Sequence, residues 1–132
     1  MADLLERVLE HEGFREKPYQ DSLGVWTIGH GLTFITEEQS KLIVAEQLIV
    51  ITRRLLKQHR WIKGVPLEIT TEMCFQLGWT GCHNFKKMWK AVRAQDYEKA
   101  ADEMLDSKWA TQTPARAKEL SEMMRHVQKE TH

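Results

Sequence analysis

Two carboxylates and a hydroxyl stand close together near the start of this 132-residue chain. Glu12, Asp21 and Thr27 fall in the segments His11-Glu12-Gly13-Phe14, Tyr19-Gln20-Asp21 and Trp26-Thr27-Ile28-Gly29-His30-Gly31. Eight residues separate the two acids, and five more precede the threonine. Hydrolysis of a glycosidic bond needs a proton donor, a base and a group that holds water, and this triplet supplies all three. Taken singly, a Glu ending a helix, an Asp in a turn and a Thr in a strand are ordinary structural residues. Only the joint pattern points to chemistry. Glu10 is the rival acid, but at helical spacing it projects away from Glu12 and reads as solvated.

The elements around the triplet follow from periodicity. Leu4, Leu5, Val8 and Leu9 recur at helical spacing, so a helix runs from about Asp3 to Glu12 and stops at Gly13. A carboxyl at that end faces the negative pole of the helix, which favours its protonated form and suits Glu12 to donate a proton. Residues 17–34 mix Pro18, Gly24, Gly29 and Gly31 with Tyr19, Val25, Trp26 and Ile28, the punctuation of a small antiparallel hairpin or meander with Asp21 in or next to a turn. A wet turn keeps an aspartate charged.

Thr36-Glu37-Glu38-Gln39 is a capping box, and Leu42, Ile43, Leu48, Ile49, Leu55 and Leu56 extend a long helix to about Arg60. A further helix is expected from Leu67 to Leu77, and three more from about Phe85 to Ala94, from Asp96 as N-cap to Lys108, and from Thr113 as N-cap with Pro114 first in the helix to about Lys129. The expected fold class is α+β and mostly helical. A chain of this size is one domain, with a β-containing region over about 12–36, a linking helix over 37–60 and a helical region over 61–132.

Hydrophobic residues make up 42% and charged residues 29%, as in ordinary globular proteins. Nineteen basic and nineteen acidic side chains cancel, which argues against a nucleic-acid partner. Residues 41–93 nevertheless hold ten Lys/Arg against three Glu. Such a surface suits an anionic polymer, and solvated helix faces explain it equally well. The N-terminus lacks the apolar core of a signal peptide, and no apolar run approaches the roughly 20 residues of a membrane helix. Stable membrane insertion is therefore not expected. Cys74 and Cys82 read as free buried thiols; with His83 they match no common metal-ligand spacing, so no metal or cofactor is expected.

The segment from Glu12 to Gly31, with Gly13 after the glutamate, Tyr19 two residues before the aspartate and Thr27-Ile28-Gly29 closing the run, resembles the signature of the phage-type lysozymes, glycoside hydrolase family 24. Phe75-Gln76-Leu77-Gly78 with Thr80-Gly81, and Ser107, Trp109, Gln112-Thr113-Pro114, Arg116 and Ala117, resemble two further stretches of that family. The likeness spans about residues 3 to 125. It implies a lysozyme-like fold in which a small β lobe is joined by the long helix to a C-terminal helical lobe that the N-terminal helix joins. It implies that Glu12 protonates the leaving oxygen while water held by Asp21 and Thr27 attacks with inversion. It implies peptidoglycan strands as the partner, a monomer, and accumulation in the host cytoplasm until a holin releases the enzyme to the wall.

Gly31, Phe75, Gln76 and Arg116 are the expected substrate-binding residues. Phe75 would cover a sugar's apolar face and Gln76 read its polar groups, although Phe75 is equally readable as core. Arg116 would approach Glu12 as an ion-pair partner. Trp61, Trp89 and Trp109 read as core, whereas Trp26 and Trp79 are stacking residues or packing. Two other functions fit parts of the pattern. A lytic transglycosylase would cut the same bond with one glutamate alone, which leaves Asp21 and Thr27 unexplained. A non-catalytic glycan-binding protein would have lost its acid or base, and here both remain.

Overall fold

A computed structural model describes residues 2–129. Seven helices and one two-stranded antiparallel sheet make up the described residues. The architecture is α+β and dominated by helix, as the sequence implies. Contacts divide the chain into two compact units, the first ending at Ile43 and the second beginning at Val44.

The first unit holds α1 (Ala2–Glu12), β1 (Arg15–Gln20), β2 (Trp26–Gly29) and the start of α2 (Glu37–Gln58). The amide of Gly13 donates to Leu9 O at 2.9 Å, a helix-ending bond that leaves Glu12 as the last residue of α1. Opposite residues of the hairpin are Tyr19 with Thr27 and Gln20 with Trp26, and Arg15 faces Gly29 across an irregularity. Pro18 lies inside that irregular stretch, where its missing N–H breaks no ladder bond. The capping box at α2 forms in both directions: Gln39 N donates to Thr36 Oγ1 at 3.1 Å, and Thr36 N to Gln39 Oε1 at 2.8 Å.

The second unit contains the rest of α2, α3 (Gly64–His83), α4 (Lys86–Arg93), α5 (Tyr97–Leu105), α6 (Lys108–Gln112) and α7 (Pro114–Arg125). Its core packs Leu55, Ile69, Met73, Met88, Met104 and Met124, all fully buried. Four of these are methionines, whose unbranched thioether adapts to irregular gaps between helices of unequal length. Trp89 and Trp109 are buried as expected, with Trp61 on the rim.

The helix boundaries differ from the sequence reading in several places, α7 among them, which ends at Arg125 and not near Lys129. α3 begins at Gly64, not Leu67, because Pro66 falls in its first turn, where a missing N–H costs nothing. It also runs past Leu77 to His83 by turning at Gly78, whose φ of 79° and ψ of 166° are non-helical and open to glycine. The helix expected up to Lys108 ends at Leu105, because Ser107 caps a separate short helix by accepting from Ala110 N at 3.1 Å. Asp96 caps α5 as expected, accepting from Lys99 N. Thr113 precedes α7 but does not cap it; its hydroxyl donates back to Trp109 O at 3.0 Å.

Aromatic rings gather where α2 ends. His59 stacks on Trp89 at 4.2 Å, and its Nε2 lies 2.9 Å from His83 Nε2. Burial, then His83 and Arg93, hold the His59 pKa below its ordinary 6.5. The fold thus disfavours the charged ring, so its contribution is intact above pH 6.5 and is lost as acid carries the pH down through the lowered folded value. The melting temperature is expected to fall between about pH 7 and about pH 5, and less steeply in His59→Gln. Equal slopes in thermal melts of the two proteins would assign the acid sensitivity elsewhere.

Candidate active site

The hairpin turn is organised by the side chain of Asp21. Its Oδ1 accepts from the amides of Leu23 and Val25, each at 2.8 Å, and its own amide donates to Val25 O at 2.9 Å. Short polar side chains make such turns because they reach their own backbone two to four residues ahead. One carboxylate oxygen is thereby fixed. No hydrogen bond within the described residues engages the other, Oδ2.

Thr27 sits opposite Tyr19 and is 5% exposed, while its neighbours Trp26 and Ile28 are exposed on the other face of the strand. Its hydroxyl donates to Val25 O at 2.9 Å. The same carbonyl accepts the Asp21 amide, so the backbone of Asp21 and the Thr27 hydroxyl share one acceptor. With its proton committed, Thr27 Oγ1 faces any further partner as an acceptor.

Glu12 is exposed at the end of α1 and lies against Gly31. Gly31 belongs to a tight turn closed by paired bonds between Ile28 and Leu32, 2.9 Å each way. Its φ is 74°, and a methyl group there would fall 2.7 Å from Glu12 Cδ and 3.1 Å from Cγ, with Oε2 nearer still. Glycine is needed twice over, for conformation and for room. Phe14 and His30 flank the turn with ring centres 5.3 Å apart.

The residues of the helical unit are placed as follows. Phe75 is 38% exposed and lines a groove of about 530 Å³ with Leu48, Leu67, Glu72 and Arg116. It is a surface aromatic, not core. Arg116 Nε donates to Glu72 Oε2 at 2.7 Å; this acidic partner differs from the Glu12 of the sequence expectation. Gln76 Oε1 accepts from Trp109 Nε1 at 2.9 Å. Trp79 is covered by Arg54 at 3.8 Å and by His83 at 4.2 Å, so it is packing, while Trp26 is 62% exposed.

Sequence reasoning missed Val25 and Glu72. Val25 acts through its peptide group, which carries no side-chain signal. Glu72 is one turn before Phe75 and Gln76 on α3, a spacing that places it beside them.

Glu12 lies over a glycine, Asp21 keeps one oxygen unengaged and Thr27 Oγ1 is turned to accept, and sequence comparison gives the chain a family. The chain belongs to the phage lysozyme family, whose model matches residues 9–130. It is 29% identical over 115 residues to an endolysin of Acyrthosiphon pisum secondary endosymbiont phage 1, covering 78% of this chain and 74% of that protein.

Gly31→Ala tests the local geometry. Left-handed strain of about 1–2 kcal/mol and displacement of the Glu12 carboxyl are expected together. Since a shift of about 1 Å costs roughly 100-fold in rate, lysis should fall by about that factor in a protein that still melts cooperatively. Wild-type lysis by the folded variant would show that Gly31 does not hold the acid.

Proposed function

We propose that this protein is an endolysin that hydrolyses the β-1,4 bond between N-acetylmuramic acid and N-acetylglucosamine in peptidoglycan. The observation that carries the reading is the Val25 peptide group, whose carbonyl receives the Asp21 amide and the Thr27 hydroxyl and whose N–H donates to Asp21 Oδ1. A water held between the two side chains would donate one hydrogen to Asp21 Oδ2 and the other to Thr27 Oγ1. Its lone pair would then be free for the anomeric carbon, as attack requires. Asp21 accepts the proton as the bond forms, and Glu12 donates one to the departing sugar oxygen. The water is split across the glycosidic bond, and an inverted hydroxyl results.

Gly31 lets the acid stand close to the substrate, and Phe75, Gln76 and Arg116 bind sugar. The Glu72–Arg116 pair would hold the guanidinium in a fixed direction for a sugar oxygen or a muramyl carboxylate. No helix among the described residues is long and apolar enough to cross a membrane. The route to the wall is release from the cytoplasm through a holin, after which the enzyme acts as a monomer.

Turbidity loss of outer-membrane-permeabilised bacteria tests the roles. Glu12→Gln should be almost inactive, and Asp21→Asn should lose about 10²–10⁴-fold, the usual value of general acid–base catalysis. Thr27→Val should also fall sharply, while Thr27→Ser keeps much of the activity because it retains the accepting oxygen. Mass spectrometry should find products one water heavier than the strand. Anhydro ends, or lysis retained by Glu12→Gln, would overturn the hydrolytic mechanism.

A further inference from the structure

Gly78 brings together groups that the linear sequence keeps apart. In an unbroken helix the eight-residue step from Cys74 to Cys82 would separate them by about 12 Å along the axis. Because α3 turns at Gly78, the two Sγ atoms and a ring nitrogen of His83 lie within 4.8 Å of one another. Both thiols are free and buried.

His59, at the end of α2, lies beside this three-donor group, with Nε2 2.9 Å from His83 Nε2. The two imidazoles are near coplanar and both stack on Trp89, at 4.2 and 4.8 Å. His83 Nδ1 lies 2.8 Å from Trp79 O, and a carbonyl only accepts, so Nδ1 carries the proton and Nε2 the lone pair. An imidazole held through one nitrogen by a backbone carbonyl presents the other in the manner of metal-bound histidines.

We propose that Cys74, Cys82, His83 and His59 bind a zinc ion in the helical unit. Two thiolates and two neutral imidazoles are a donor set that zinc accepts in tetrahedral geometry. Bonds of about 2.3 Å to sulfur and about 2.0 Å to nitrogen give ligand–ligand edges of about 3.3–3.8 Å. The Cys74, Cys82 and His83 donors, now within 4.8 Å of one another, close by about an ångström on binding, while the two histidine Nε2 atoms part slightly from 2.9 Å. Cys82 gives up its weak 3.7 Å hydrogen bond to Thr70 O, and His59 exchanges its bond to His83 for one to the metal. Two thiol protons leave to solvent, and the His59 proton moves to Nδ1. Four protein donors leave no open position, so the site is structural: it ties the end of α2 to both arms of α3.

The full chain, reduced and freed of metal by chelation, is titrated with zinc by calorimetry and with cobalt as a spectroscopic probe. Expected are one equivalent bound, proton release, the visible absorption of tetrahedral cobalt thiolate, a raised melting temperature and slowed alkylation of both thiols. Cys82→Ser and His83→Gln should abolish binding, and His59→Gln should weaken it by about 10- to 100-fold. Thiol protection in the unmutated chain keeps the test decisive if a buried variant fails to fold. Absence of saturable one-equivalent binding overturns the proposal, as does a cobalt spectrum without thiolate bands. A mass two hydrogens lighter under mild oxidation, with no response to zinc, overturns it in favour of a disulfide. None of the four donors belongs to the hydrolytic machinery, so the outcome is independent of the lysis assays.

Discussion

The Val25 peptide group is the constraint on which the hairpin site depends. Its N–H meets Asp21 Oδ1, and its carbonyl receives both the Asp21 amide and the Thr27 hydroxyl. Hydrogen bonds to charged groups contribute about 1.5–3 kcal/mol, whereas an isolated two-stranded hairpin is marginal in water. The aspartate therefore closes the turn that aims it. Its two oxygens have different duties, one structural and one open to chemistry. Replacing it by a residue unable to accept would remove the base and loosen the turn together, which is why asparagine, able to keep the Oδ1 bonds, is the informative substitution.

Positioning of the acid follows a different logic. Glu12 makes no hydrogen bond or ion pair within the described residues; it is placed by where α1 stops and by the absence of a side chain at Gly31. Asp21 is fixed by hydrogen-bond donors and Glu12 by shape.

Much of this was legible in the sequence where the determinants are local. The capping box at Thr36, the Asp96 cap and the Pro114 start are signals read over four residues, and the structure forms them where expected, except that Thr113 turns its hydroxyl to Trp109. Gly78 was visible as an interruption, but a glycine can end a helix or bend it, and only tertiary packing decides which. The short helix after Ser107 was absorbed into its neighbour because apolar spacing continues across it. The Arg116–Glu72 pair was not legible, since it depends on how α3 and α7 pack and not on any local pattern.

The contrast between the hairpin site and the Cys/His cluster has the same origin. Every contact that shapes the first lies between residues fewer than twenty apart: Asp21 with Val25, Val25 with Thr27, Glu12 with Gly31. Such a site can persist as a recognisable motif, because its geometry travels with a continuous segment of chain. The second joins His83, itself bonded to a histidine at the end of α2, to two cysteines separated by a helical bend, and its spacing reflects that bend. No fixed interval between Cys74 and Cys82 could announce it. A donor set assembled by tertiary structure becomes visible only when the turn at Gly78 is known, and the physical test of such a set is the distance between its atoms and not the number of residues between them.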